Sequence, residues 1–289
     1  MHLLKKMALV TLVAGLALSD TGLMAAPDAD RPIALQMYTL RNVGTLEQQL
    51  NLAQRSGFSA LELVGDQGVS RDELGRLLKK YNMSVTSAHV QLDALRAQLA
   101  DTVAFNRAIG NRVLVLPYLN PADRPVDAAG WQTLGRELNG IGARLRKGGL
   151  QLAYHNHDFE MKKYRGKTAL EWLVDATQPQ NLSLELDVAW VSRGGQDPVR
   201  LIRRYSNRLF ALHVKDNAGI GVRDDERNFA PVGEGLLTWS EIVAAAQEDA
   251  RPLYIVEHDL PKDPGAIIRT SRQNLQRELM LEGHERKLQ

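Results

Sequence analysis

The feature that most constrains this chain is an alternation. Short apolar, β-prone runs are each followed by a stretch with helical periodicity, about eight times from Ile33 onward. Parallel strands need long crossovers, and a helix is the usual one. The runs place strands at 33–37, 58–64, 84–89, 112–116, 150–155, 182–187, 208–214 and 253–257. They place helices at 45–55, 70–81, 92–109, 128–147, 169–176, 198–205, 239–246 and 264–281. Ser70-Arg71-Asp72-Glu73 reads as a helix start, and Gly57 and Gly148-Gly149 as helix ends. A (β/α)8 TIM barrel takes about 250 residues as one domain, which residues 27–289 supply. An open doubly wound sheet is the main competitor, but no Gly-rich phosphate loop follows the first strand.

In a parallel barrel the C-terminal ends of the strands share one face, and the chemistry sits there. Four runs end on groups that bind metals or move protons: Leu152-Ala153-Tyr154-His155, Leu184-Glu185-Leu186-Asp187, Ala211-Leu212-His213 and Tyr254-Ile255-Val256-Glu257. Asp187, His213 and Glu257 stand on three successive strands. Two carboxylates and an imidazole suit one divalent cation, Mn²⁺, Zn²⁺, Co²⁺ or Mg²⁺. The densest polar cluster is His155-Asn156-His157-Asp158-Phe159-Glu160, read as a metal ligand with one or two acid/base groups. The other reading is a turn bonded to its own backbone.

Further strand-end residues complete the expected pocket. Glu62 and His89 are placed to bind hydroxyls or exchange a proton. Lys215 is placed to neutralise an oxyanion, or else it is an exposed loop lysine. Gln36 and Tyr38 line the first-strand corner, and Trp190 stacks on a sugar ring or joins the core. Gly233 and Gly235 shape a turn before the helix at Trp239. The stretch Arg223-Asp224-Asp225-Glu226-Arg227 reads as a solvated loop surface.

Lys5 and Lys6 precede the apolar run Met7 to Leu18, and Ala25-Ala26-Pro27 follows. This order describes a secretory signal peptide over residues 1–26, with a periplasmic or secreted product. The run is too short for a stable membrane span. The chain has no cysteine, which excludes disulfides, thiolate ligands and a cysteine nucleophile. The net charge of +2 gives no field to draw in nucleic acid.

Several stretches together resemble the sugar phosphate isomerase/epimerase family of xylose isomerase-like barrels. They are Leu35-Gln36-Met37-Tyr38-Thr39-Leu40-Arg41, Ala60-Leu61-Glu62-Leu63, Ser87-Ala88-His89, Tyr154 to Glu160, Leu186-Asp187-Val188-Ala189-Trp190, His213-Val214-Lys215-Asp216, Pro231-Val232-Gly233-Glu234-Gly235 and Val256-Glu257-His258. The resemblance implies one divalent metal held by Glu, Asp, His and Glu from the last four strands. Asp187, His213 and Glu257 match the last three. The first position departs, because His155 stands where the family pattern has Glu. Glu160 is the preferred replacement ligand and His155 the other candidate.

The expected enzyme acts on a small sugar or polyol-like molecule. The metal polarises a carbonyl, and His155, His157 or Glu62 works on the adjacent carbon. Isomerisation or epimerisation is the first expectation. A lyase or dehydratase acting on a keto-sugar or keto-glycoside is the alternative. A nuclease of the endonuclease IV branch fits less well, with 7 His in all and near-neutral charge. A non-catalytic sugar-binding protein would need no metal. An oligomer is compatible with the sequence.

Overall fold

The computed structural model describes residues 33–288, and the expected signal peptide lies outside them. Eight parallel strands close into a barrel: β1 Ala34–Gln36, β2 Ala60–Val64, β3 Ser84–His89, β4 Val113–Leu116, β5 Gln151–His155, β6 Ser183–Asp187, β7 Leu209–Val214 and β8 Leu253–Val256. β1 pairs with both β2 and β8, which completes the ring. Strands covered on both faces need apolar side chains on both, and β4, Val-Leu-Val-Leu, is buried at every position.

The helices follow the strands: α1 Leu46–Arg55, α2 Arg71–Lys80, α3 Leu92–Ala97, α4 Leu99–Ala108, α5 Ala128–Lys147, α6 Ala169–Asp175, α7 Val188–Arg193, α8 Pro198–Arg204, α9 Trp239–Glu248 and α10 Pro264–Leu288. Ser70 Oγ accepts from the Glu73 N–H at 3.2 Å, as the sequence predicts for the start of α2. Thr45 and Gln48 close a capping box on α1. The single helix expected over 92–109 is two helices that break at Gln98 (φ −129°, ψ 29°). Leu92 and Leu95 drive α3 into the core, while α4 buries only Asn106. The apolar spacing runs unbroken through the bend, so periodicity does not reveal it. No helix among the described residues is long and apolar enough to cross a membrane.

Two environments stack inside the lumen. Side chains two residues apart on a strand share a face. Ala34-Leu35-Gln36, Ala60-Leu61-Glu62, Ala153-Tyr154-His155 and Ala211-Leu212-His213 therefore each send a small residue and then a polar one inward. Ala34, Ala60, Ala211, Leu253 and Ile255 form an apolar floor, and Val113, Val115 and Ala153 form another. Phe210 packs against both. The alternate residues, such as Leu35, Leu61, Tyr154 and Leu212, face outward into the main core under the helices. Barrel layers are usually branched and apolar throughout, but here the upper lumen is polar.

The ladder is irregular at two places. Between β2 and β3 the register shifts at Leu61/Glu62, and between β6 and β7 at Leu184/Glu185. Thr86 and Phe210 are the extra residues. Such irregularities re-aim side chains. Both occur beside a carboxylate that ends up deep in the lumen.

Candidate active site

Two groups of ligand atoms converge at the strand ends. Asp187, His213 and Glu257 form the outer one, and one ligand atom from each lies within 4.8 Å of the others. Asp187 is the N-cap of α7, its Oδ1 accepting from the Trp190 N–H at 2.9 Å. Its backbone N–H donates to Asn156 Oδ1 at 2.9 Å. Asp187 Oδ2 is buried, has no hydrogen bond among the described residues and faces the Lys215 ammonium at 3.0 Å. His213 Nδ1 stands 3.3 Å from Glu257 Oε2. An oxygen–nitrogen–oxygen donor set with an unsatisfied carboxylate oxygen fits a divalent cation.

The inner group is His89, His155, Glu185 and His213. Glu185 Oε1 lies 3.1 Å from His89 Nε2, 3.0 Å from His155 Nδ1 and 2.9 Å from His213 Nε2. Glu185 Oε2 is buried and has no hydrogen-bond partner among the described residues. Glu62 joins from the opposite side, 2.6 Å from His213 Nε2 and 3.0 Å from His89 Nε2. Gln36 Nε2 and Ser87 Oγ also donate to Glu62, at 2.7 and 2.6 Å. Glu62 is thus fully enclosed behind His213 rather than at the mouth. His213 is common to both groups, with Nδ1 facing outward and Nε2 inward. Carboxylates behind a ligating histidine fix its orientation and raise its basicity.

Charge follows this layering. Burial works against the His89 cation, but Glu62 and Glu185 raise its pKa to about 9. Burial likewise opposes the Glu62 anion, and His89 and His213 hold its pKa well below the usual range. His155 is pushed well down by burial and by the neighbouring His213, so it is neutral. Burial, and then Lys215, lower His157 to about 3. Burial raises Asp187 to about 6, with Lys215 opposing.

The mouth is aromatic. His157 packs 5.2 Å from Trp190, 5.0 Å from Tyr118 and 5.9 Å from Phe159, centroid to centroid. His157 Nδ1 and Trp190 Nε1 have no hydrogen-bond partner among the described residues. Lys215, expected as either an oxyanion group or an exposed lysine, is 1% exposed and paired with Asp187, Glu257 and Asp259. Tyr38 lies outside this cluster, 37% exposed, under the Arg41 guanidinium.

Glu160, the preferred first ligand, is in neither group. Its Oε1 accepts from Tyr154 Oη at 2.7 Å and its Oε2 from the His157 N–H at 2.8 Å. Tyr154 faces the outer core, so Glu160 is drawn away from the lumen. Burial raises its pKa to about 7. His155 Nε2, by contrast, points toward Asp187 Oδ2 at 3.9 Å.

Three important residues escaped the sequence reading. Glu185 lies two positions before Asp187, and the period of two would have flagged it. Asp259 lies beyond its strand, where no period applies. Asp216 is buried and accepts five donors: the backbone N–H groups of Asn217, Leu237, Gly233 and Gly235, and Trp239 Nε1. A Cβ at Gly235 would run into the Asp216 carboxylate, so the expected shaped turn is moulded on a buried anion. The 223–227 stretch is not simply solvated. Glu226 is 4% exposed and accepts from Arg223 Nη1 and the Lys262 N–H. Arg227, at φ +58°, reaches Asp259 Oδ2 at 3.0 Å.

The model of the xylose isomerase-like TIM barrel family matches residues 50–278. The chain belongs to that family. An inosose dehydratase of Lacticaseibacillus casei is 27% identical over 139 residues, 44% of this chain and 46% of that protein. The match thus spans about half the length of that relative. Inosose dehydratase 2 of Bacillus cereus is 23% identical over 253 residues, 76% of this chain and 83% of that protein. Among solved structures, a sugar phosphate isomerase/epimerase of Parabacteroides distasonis ATCC 8503 superposes with a TM-score of 0.72. It is 22% identical and covers 88% of this chain and 96% of its own. The IOLI protein with a bound zinc atom superposes at 0.70, with 14% identity, over 87% of this chain and 99% of its own. At these identities the structural likenesses establish the barrel alone.

Proposed function

We propose that this chain is a divalent-metal-dependent enzyme that removes a proton beside the carbonyl of a small sugar or polyol-like substrate. The ligands are His155, Asp187, His213 and Glu257, with His155 in place of the carboxylate expected there. The observation that carries the reading is the donor set of the outer group, with His155 Nε2 turned toward it and Glu160 turned away. A cation held there supplies Lewis-acid polarisation of a carbonyl.

The chain's own groups divide the remaining work. His157, neutral and with an unpaired Nδ1 at the mouth, is the proton acceptor. Trp190 offers an apolar face to a sugar ring. Lys215, kept protonated by Asp187, Asp259 and Glu257 despite its burial, donates to a developing oxyanion or to a departing oxygen. The neutral bases stand together at the end of β5, and the ammonium stands just past the end of β7. A base and an ammonium on the same side of the barrel suit loss of a β-leaving group, the base taking the proton and the ammonium protonating the departing oxygen. We therefore place the lyase or dehydratase outcome ahead of epimerisation, and the inosose dehydratase relatives support that order.

The test is incubation of keto-sugars and keto-polyols with the metal-loaded protein in D₂O. Metal-dependent deuterium uptake at the carbon beside the carbonyl, or in an unsaturated product, supports the reading. Lost water or aglycone marks the lyase, and retained mass marks the isomerase. Turnover without deuterium entering would reject proton abstraction.

A further inference from the structure

The outer ligand group has a competitor inside the chain. Lys215 Nζ lies 3.0 Å from Asp187 Oδ2 and 2.7 Å from Glu257 Oε2, and it also pairs with Asp259 Oδ1. An ammonium has three donors; here it donates to Glu257 and Asp259 and faces Asp187 Oδ2 as an ion pair without a hydrogen bond. Two of those carboxylates are the anionic members of the ligand group. The third, Asp259, belongs to neither group, is 6% exposed and is anchored by Arg227.

We propose that Lys215 and a divalent metal compete for Asp187 and Glu257, and that Asp259 is the positioning residue that holds the ammonium once metal takes those two. The proposal rests on the metal reading above. A buried ammonium cannot simply turn to water, because its desolvation is compensated only by anions within reach. Of its three carboxylate partners, Asp259 is the one that a metal at the outer group leaves free. Arg227 comes from the 216–237 loop, and Arg41 Nη2 donates to the Asp259 carbonyl at 2.7 Å. Asp259 is therefore fixed from two sides. Drawn toward it, Lys215 stays beside the ligands with hydrogens released for a substrate oxygen.

The competition predicts metal affinities that move in opposite directions. Zn²⁺ alone is titrated calorimetrically into the full chain, without substrate, at one pH and ionic strength. Lys215→Met removes the competing charge, so Zn²⁺ binds tighter by roughly tenfold or more. Asp259→Asn removes the alternative partner, so Lys215 competes harder and Zn²⁺ binds weaker by roughly tenfold. In the Lys215→Met background, Asp259→Asn has no further effect, because it acts only through Lys215. A merely structural residue would weaken binding in both backgrounds, and that result overturns the proposal. So does unchanged or weaker binding by folded Lys215→Met when the wild type binds. Binding by Lys215→Met but not by the wild type supports the competition and rejects a metal-loaded wild type. Binding by neither rejects both readings. If circular dichroism shows that Lys215→Met does not fold, Lys215→Gln and the single Asp259→Asn variant decide by the same signs.

Discussion

Glu185 Oε1 stands 3.0 Å from His155 Nδ1, and this contact decides which nitrogen of His155 is available to a metal. The carboxylate oxygen accepts, so the proton sits on Nδ1 and the Nε2 lone pair faces Asp187. Glu185→Gln keeps an amide oxygen that can accept from Nδ1 but removes the negative charge behind the imidazole, so His155 becomes a weaker ligand. Loss of such a supporting group typically costs about 10–100-fold in metal affinity. Calorimetric titration of Zn²⁺ into the variant should show a loss in that range with the fold intact. Unchanged affinity would contradict the supporting role of the Glu185 charge.

The two histidines of β5 and its loop should separate in kinetics. His157→Ala should slow deuterium uptake by roughly 10²–10⁴ while leaving metal affinity near that of the wild type. His155→Ala should lower both. Equal effects of the two substitutions on metal affinity would contradict the division of labour.

Glu160 gives a pH signature of its own. Its pKa rises from 4.5 to about 7 on folding. The folded state therefore binds the extra proton between those values, and stability falls as pH rises through that window. The slope should amount to roughly 3 kcal/mol across it. Glu160→Gln should remove this contribution, so that denaturant unfolding of variant and wild type converges at low pH and separates toward pH 7. Parallel curves at all pH values would contradict the buried, proton-holding carboxyl.

Asp216 should matter for stability rather than for the chemical step. Asp216→Ala strands donors inside the 216–237 loop, and Trp239 Nε1 with them, at an expected cost of about 3–5 kcal/mol. Gly235→Ala should destabilise through the same contact. Chemical denaturation measures both. A loss below about 1 kcal/mol for Asp216→Ala would show that water replaces the carboxylate.

Export is a proposal that rests on the order Lys5-Lys6, apolar run, Ala25-Ala26. N-terminal sequencing of protein from its native host should find a start near Pro27. An intact Met1 terminus on the cytosolic protein would reject it.

The sequence by itself determined the barrel, because strand-length apolar runs separated by helical stretches leave few ways to bury both faces of a parallel sheet. It also determined that Asp187, His213 and Glu257 meet, since strand ends of a closed parallel sheet share one face. The tertiary structure alone decided what lies behind and beside them. Glu160 lies in the loop past its strand, and only its bonds to the Tyr154 hydroxyl and the His157 N–H show which way it turns. Glu62 and Glu185 meet the same two histidines across the lumen because barrel closure and two register shifts aim them there. Asp259 and Arg227 are 32 positions apart on loops, where no periodicity fixes a side chain's direction. Periodicity is a local property of the backbone, whereas the pairing of charges across a lumen depends on closure.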